Sequence, residues 1–171
     1  MPLLKNNEFV ADHFIEVADD MGLPSAGNVL ISSSRITEAA ALNLGIGIRL
    51  NNTDKVEALV ANFPQITLIV LPFPAFSDGR SYSIGRQLRL EGYRGELRAE
   101  GNILPDQLQL MLQVGFDSFL VTERFPLAAW QAASQQMSLA YQRGLYRNQE
   151  TEVWSSRHQG FNAWEEQPHA G

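Results

Sequence analysis

The feature of this sequence that most constrains its fold is a regular alternation of short apolar runs and amphipathic runs from Asn28 onward. Apolar runs of four to eight residues predict strands, and apolar residues recurring every three or four positions predict helices. Five such strand–helix pairs follow one another, with strands predicted at 29–34, 46–51, 66–71, 96–101 and 118–123. Strict alternation predicts an α/β fold with a mainly parallel sheet and right-handed crossovers.

Local signals place some of the helix ends. Ser34 is expected to cap the first helix, and Gly45 is expected to stop it. Asp54 and Glu57 have the spacing of a capping box at the start of the second helix. Gly115 is expected in the left-handed position that follows the fourth helix.

Two architectures fit the five strand–helix units. One is an open doubly wound sheet, and the other is a partial TIM-barrel-like sheet, because the chain is too short to close eight such units. Arg49 and Arg98 fall on the polar side of their strands. They could line the polar inner face of a barrel-like sheet, or they could lie on edge strands with one solvated face. The sequence leaves both alternatives open.

The organisation along the chain indicates one domain with flanking segments. A length of 171 residues suits a single domain. We expect an N-terminal cover segment at 1–27, where short strands near Phe9 and Phe14 form a hairpin or a cover, the α/β domain at 28–143, and a flexible tail at 144–171. The tail has no periodic apolar pattern, although it contains aromatic residues, among them Trp154, Phe161 and Trp164.

Charge and composition exclude several classes of function. The net charge is −6, which disfavours nucleic acid as a partner. The absence of cysteine excludes disulfides, thiolate catalysis and iron–sulfur clusters held by cysteine alone. No apolar stretch long enough to span a membrane is present, so we expect a soluble, cytoplasmic protein with no membrane partner. The oligomeric state stays open.

Neither a metal site nor a bound cofactor is predicted. The three histidines, His13, His158 and His169, are too scattered to form a metal site with the available carboxylates. The glycine-rich signatures of dinucleotide-binding and nucleotide-phosphate-binding loops are absent. A serine nucleophile is disfavoured because no histidine lies within the strand–helix body.

A polar turn at 77–83 follows the most apolar strand, at the edge where parallel α/β sheets bind ligands. Free backbone N–H groups there favour anions, and Arg80 adds positive charge. This pattern predicts an oxyanion or phosphate pocket, with Arg80, Arg98 and Arg49 as clamps. The alternative is structural: Asp78 caps the helix, and the arginines form surface ion pairs.

The helix after this turn carries Tyr82, Arg86, Arg89 and Tyr93 at helical spacing, so we expect these side chains to face away from the core. Asp106 begins the fourth helix at the same sheet edge as Arg80, where complementing the helix dipole is its alternative role. The candidate anion-binding residues are Asp78, Arg80, Tyr82, Ser83, Arg86, Arg98, Asp106 and Gln107.

Three ordered blocks resemble a family of uncharacterised bacterial proteins. The blocks are FSDGRSYS at 76–83, GELRAEG at 95–101, and DQ at 106–107 followed by GFDSF at 115–119. Two positions depart from the family pattern: Ala75 replaces a common lysine and Ser81 replaces a common glycine. The likeness covers roughly 27–142.

The resemblance implies a role, because genes of this family commonly lie beside those of assimilatory sulfite reductase. It implies an accessory protein of sulfite reduction that binds the reductase, its electron donor or a sulfur oxyanion. It assigns no catalytic residue. The alternatives are an enzyme acting on a small metabolite, with an anion or phosphate site at the C-terminal strand edge, and a non-catalytic subunit that contributes only packing.

Overall fold

The computed structural model describes residues 1–135. The last residues of the domain expected at 28–143 lie outside this range, and so does the whole tail expected at 144–171, with Trp154, Phe161 and Trp164. The strands are β1 Leu3–Lys5, β2 Glu8–Val10, β3 Phe14–Glu16, β4 Asn28–Ile31, β5 Gly45–Arg49, β6 Ile66–Phe73, β7 Glu96–Gly101 and β8 Ser118–Val121. The α-helices are α1 Ile36–Ala41, α2 Arg80–Leu90, α3 Leu108–Val114 and α4 Leu127–Gln135. A 3-10 helix spans Val56–Gln65, and 3-10 turns at Ser33–Arg35 and Pro105–Gln107 precede α1 and α3.

All eight strands form one sheet, in the order β2-β1-β8-β7-β6-β5-β4-β3. From β3 to β8 each strand pairs in parallel with its neighbour in the sequence. A doubly wound sheet needs a point where the strand order reverses. This order has no reversal among these six strands, so the doubly wound alternative is wrong. The sheet curls into a half-barrel, as the partial-barrel alternative requires.

The N-terminal residues are part of this sheet rather than a cover over it. β1 and β2 form an antiparallel hairpin, and β1 also pairs with β8 in the antiparallel direction. The hairpin turns at Asn6 and Asn7, which both have positive φ, as a two-residue hairpin loop requires. β3 pairs with β4 at the other edge. The expected cover segment at 1–27 therefore extends both sides of the sheet.

The main core lies between the sheet and the helices. The side chains of Ile48, Ile69 and Leu97 point from neighbouring strands toward the helices and are fully buried. β6 lies inside the sheet, which explains why its sequence is apolar on both faces. On the opposite face, which the described helices do not cover and which we call the inner face, a smaller apolar cluster includes Leu68 and Val70.

Charged side chains surround that small cluster on the inner face. Arg98 is almost fully buried, and its guanidinium donates to Asp12 at 2.7 Å and to Glu96 at 2.9 Å. Arg49 donates to Glu100 at 2.6 Å and to Glu16 at 3.3 Å. β5 and β7 flank β6, so the edge-strand alternative for these arginines is wrong. They belong to the polar inner face of a barrel-like sheet.

Three predicted helix signals are wrong. The N-cap of α1 is Arg35 instead of Ser34, because a 3-10 turn comes first. The chain leaves α1 through Asn43, which has a positive φ of 54°, and Gly45 already belongs to β5. Asp54 forms no capping box, because its carboxylate accepts the backbone N–H of Asn51 at 2.8 Å.

The end of α3 confirms its predicted cap. Gly115 has φ of 106°, and its backbone N–H donates to Met111 at 3.1 Å. A side chain at Gly115 would be strained by this φ and would also meet Arg89 at 2.7 Å. Phe116 then packs in the same buried cluster as Met111.

Candidate functional site

The turn between β6 and α2 lies at the C-terminal edge of the sheet, as the sequence predicts. Asp78 and Arg80 form a closed pair there. The Asp78 carboxylate accepts the Arg80 backbone N–H at 3.1 Å, its Nε at 3.0 Å and its Nη2 at 2.7 Å. The Arg80 side chain is 60% exposed, and its hydrogen bonds hold the pKa of Asp78 down at about 2. The pair fixes the start of α2, so Arg80 is already neutralised by its own turn.

Two neighbouring side chains fasten this turn to the sheet. Ser81 is fully buried, and its hydroxyl lies 2.6 Å from the carbonyl oxygen of Pro72 and 2.8 Å from Oδ1 of Asn52. The amide of Asn52 donates to Asp78 at 3.3 Å. The turn after β5 thereby supports the turn after β6.

Amide side chains tie the β6–α2 turn to the turn after β7. Gln107 donates to the carbonyl oxygen of Phe76 at 2.7 Å and accepts the backbone N–H of Leu104 at 3.0 Å. Asn102 donates to the carbonyl oxygen of Pro74 at 2.8 Å. The candidate residue Gln107 therefore acts as a bridge between two turns.

Replacing Gln107 with alanine removes both of its hydrogen bonds. Each such bond contributes about 0.5–1.5 kcal/mol, and these are partly solvated, so we expect the free energy of unfolding to fall by about 1–2 kcal/mol. Chemical denaturation measures this difference. Gln113→Ala, at a half-buried glutamine of α3, is the matched control and should change stability by less than about 0.5 kcal/mol. Equal stability of the two variants would contradict the bridging role.

The turns joined by these amides enclose a cavity of about 170 Å³ at the C-terminal ends of β6, β7 and β8. The lining is mostly apolar and has three polar side chains, Asn102, Thr122 and Arg124. The full lining consists of Pro74, Ala75, Phe76, Asn102, Ile103, Leu104, Thr122, Arg124 and Phe125. Arg124 follows β8 and is exposed, and its guanidinium carbon lies 5.2 Å from the centre of the Phe125 ring. Within residues 1–135 no carboxylate forms an ion pair with it.

The sequence reasoning missed Arg124 and Asn102. The available signal was positional, because Asn102 follows β7 directly and Arg124 lies three residues after the end of β8. The C-terminal ends of adjacent parallel strands meet at one edge, so both side chains could have been placed beside the 77–83 turn. Neither stands in a motif that draws attention to it.

The other candidates at this edge lie away from the cavity. Ser83 and Arg86 are exposed on α2, and Asp106 is exposed on the 3-10 turn before α3. Tyr82 is half-buried, its ring meets Phe73 edge-on at 5.2 Å, and its hydroxyl bonds to no described residue. Burial, with a smaller contribution from the charge of Asp106, raises the pKa of Tyr82 to about 12.

This raised pKa predicts the alkaline stability of the protein. The unfolded chain loses the Tyr82 proton near pH 10 and the folded chain near pH 12, so stability is lost as pH rises through this window. Tyr82→Phe has no such proton to lose. We expect its free energy of unfolding to fall less steeply than that of wild type between about pH 9 and 11. Urea titrations at several pH values measure this difference. If the free energy of unfolding falls equally steeply with pH in Tyr82→Phe and in wild type, the burial of the Tyr82 phenol is contradicted.

Arg98 and Arg49 do not join Arg80 in one site. Arg98 pairs in register with Val70 in the middle of the sheet, and its guanidinium is occupied by Asp12, Glu96 and Ser118 on the inner face. Hydrogen bonds from Lys5, Ser118 and Arg98 outweigh the effect of burial and lower the pKa of Glu96. This network joins the N-terminal segment to the sheet and pairs the buried Arg98 with two carboxylates, which an anion would have to displace.

The prediction that the side chains of Arg89 and Tyr93 face away from the core is wrong. Arg89 and Tyr93 are buried. α2 ends at Leu90 and the chain turns at Gly92, with φ of 94°, so helical spacing does not extend to Tyr93. Arg89 points into the protein because the carbonyl oxygens of the adjacent turns accept its donors.

The side chains that line the cavity supply hydrogen-bond donors beside apolar walls. Among the described residues no three histidine or acidic side chains converge to hold a metal ion. None of the side chains that line the cavity is a carboxylate or an imidazole. They supply one guanidinium, one hydroxyl and one amide beside apolar walls, which is a set that can orient and partly desolvate a small anionic ligand.

In residues 1–135 no helix combines the length and the apolar character needed to cross a lipid bilayer.

No curated protein matches the sequence. A sequence model of a bacterial protein family of unknown function, DUF934, matches residues 47–151. This match covers more than half of the 171 residues and includes the three blocks with their turns at the C-terminal edge of the sheet. The chain therefore belongs to the DUF934 family of bacterial proteins of unknown function.

Proposed function

We propose that this protein is an accessory protein of assimilatory sulfite reduction that binds a small oxyanion at the C-terminal edge of its sheet and acts with the reductase or its electron donor. The observation that carries the binding is Arg124, which lines the cavity and forms no ion pair with a described residue. The link to sulfite reduction is supported by the resemblance of the blocks at 76–83, 95–101, 106–107 and 115–119.

Arg124 suits an anion better than the arginines that the sequence favoured. Arg80 is paired with Asp78, and Arg98 with Asp12 and Glu96, so an anion would first have to displace a carboxylate. Arg124 has no such competitor among residues 1–135. A guanidinium also matches the planar, bidentate geometry of oxyanion recognition. Thr122 lines the same cavity and adds a hydroxyl donor.

The composition of the site favours assistance over electron transfer. The chain contains no cysteine, so it cannot relay electrons through thiols. The cavity lining offers no general acid or base. A protein of this kind can deliver or hold an oxyanion, or stabilise the complex that reduces it.

An enzyme acting on a small anionic metabolite is the second candidate. It is favoured by the position of the cavity, because barrel-type enzymes hold their active sites at the C-terminal ends of their strands. Asp78 and Asp106 lie at that same edge, although outside the lining. Binding without turnover separates the accessory role from this alternative.

Calorimetric titration with sulfite and with sulfate tests the binding. We expect wild-type protein to bind one of these anions, and Arg124→Gln to bind it at least about tenfold more weakly, because a charge-assisted hydrogen bond contributes about 1.5–3 kcal/mol. Arg86→Gln, an exposed arginine on α2, is the control and should bind as wild type does. Binding that persists unchanged in Arg124→Gln would place the anion elsewhere and defeat the proposed site.

A further inference from the structure

We propose that the anion held most tightly at this cavity carries an apolar body, so that an organic sulfonate binds there more tightly than bare sulfite or sulfate does. The inference rests on the function proposed above, because it uses the same cavity and the same arginine. It adds which part of the ligand lies against the apolar walls. The lining has few polar side chains and a larger share of apolar ones.

The polar side chains of the lining can satisfy only a small charge. Thr122 and Arg124 supply most of the donors, because the amide nitrogen of Asn102 already uses one of its two N–H groups on the carbonyl oxygen of Pro74. A bare dianion brought into such a site would leave most of its oxygen atoms without donors, and the loss of hydration is costly. One guanidinium and one hydroxyl suit a single negative charge on a head group that keeps its outer oxygen atoms in water.

The rest of the lining is suited to carbon. Six apolar side chains form the walls: Pro74, Ala75, Phe76, Ile103, Leu104 and Phe125. Two of them are aromatic, and Phe76 is 60% exposed at the tip of the β6–α2 turn. An exposed aromatic ring beside a cavity gains most when an apolar group covers it. A bare oxyanion would leave these walls in contact with water.

The turn that carries Phe76 is held in place independently of any ligand. Its carbonyl oxygen accepts from Gln107, and the start of α2 is fixed by Asp78 and Arg80. The apolar wall is therefore preformed, as expected of a small-molecule site. A cavity of about 170 Å³ has room for a short carbon chain only.

A series of straight-chain sulfonates from methanesulfonate to hexanesulfonate, titrated into the full-length protein, tests this inference beside sulfite. Affinity should rise by about fourfold per methylene, the equivalent of about 0.8 kcal/mol, and then level off when the cavity is filled. Hexylammonium, which has the same body with a positive charge, should not bind. Phe76→Ser should reduce the ratio of hexanesulfonate to methanesulfonate affinity. Leu110→Ser, at an exposed leucine of α3, should leave that ratio unchanged.

The outcomes separate this inference from the function on which it rests. If sulfite binds through Arg124 and affinity does not rise with chain length, the apolar body is wrong and the proposed function stands. If no anion of any length binds, the proposed function fails and the inference fails with it. If hexanoate binds more tightly than hexanesulfonate, the sulfonate head group is overturned. If affinity rises equally with chain length in Phe76→Ser and in wild type, the assignment of Phe76 to the apolar wall is overturned.

Discussion

Replacing Arg89 with methionine is expected to destabilise this protein by about 3–5 kcal/mol, a large part of the stability of an ordinary domain. The Arg89 side chain is only 2% exposed. It donates to the carbonyl oxygens of Gly115 at 2.9 and 2.8 Å, Tyr93 at 3.0 Å and Gly95 at 2.8 Å. It also donates to the Asp117 carboxylate at 2.5 Å. Methionine fills similar space but removes every Arg89 donor from the carbonyl oxygens of Gly115, Tyr93 and Gly95, while Asp117 still accepts the backbone N–H of Leu97.

Chemical denaturation of three further variants shows whether the effect belongs to this contact. Arg86→Met, exposed on the same helix, should lie within about 0.5 kcal/mol of wild type. Arg89→Lys keeps the charge but cannot reach acceptors on several sides, so its loss should be intermediate. Asp117→Asn should cost less than Arg89→Met, because Asp117 is 44% exposed. Arg89→Met within about 1 kcal/mol of wild type would show that these bonds do not anchor α2.

Deleting the gene is expected to slow growth of its host on sulfate and on sulfite as the only sulfur source. An accessory protein of the reductase acts before sulfide is made, so sulfide and cysteine should both restore growth. Because the chain has no cysteine of its own, purified reductase should keep its basal rate without this protein and gain in rate, stability or assembly with it. Growth yields and reductase assays on cell extracts measure both effects.

The position of the rescue is the internal control for this second prediction. A strain that sulfide does not rescue would have a defect after the reductase, and the proposed role would be wrong. A deletion strain that grows normally on sulfate, in a host with no second copy of the gene, would exclude a required role in assimilation. Complementation with the wild-type gene removes effects on neighbouring genes.

The body of the fold could be predicted from the sequence because its strands pair with near neighbours. The strand predicted at 96–101 is observed as Glu96–Gly101. The central strand predicted at 66–71 is observed as Ile66–Phe73, which is slightly longer than predicted. β1 was missed because its partner, β8, lies more than a hundred residues later in the chain. Three residues carry too little pattern to show such a distant pairing. The polar faces of β5 and β7 suit an edge strand and a barrel interior equally well, so the sequence could not specify the sheet order.

The location of the candidate site was predictable from the sequence, and the position of Arg124 in its lining was not. The 77–83 turn lies at the predicted edge, because parallel strands bring their C-terminal ends together. The sequence could not show that Asp78 already holds Arg80, since a carboxylate two residues away is equally suited to capping the helix or to exposure in solvent. Arg124 was missed because its role depends on a cavity whose walls come from three separate turns.

The central claim is that Arg124 at this edge serves sulfite reduction in the cell, and a chromosomal substitution tests it most directly. Strains carrying Arg124→Gln, Arg86→Gln or the full deletion are grown with sulfite as the only sulfur source, with protein levels checked by immunoblot. We predict that the Arg124→Gln strain grows as slowly as the deletion strain and that the Arg86→Gln strain grows as wild type does. Added sulfide should restore the growth of both slow strains. Wild-type growth of Arg124→Gln beside a slow deletion strain would contradict it.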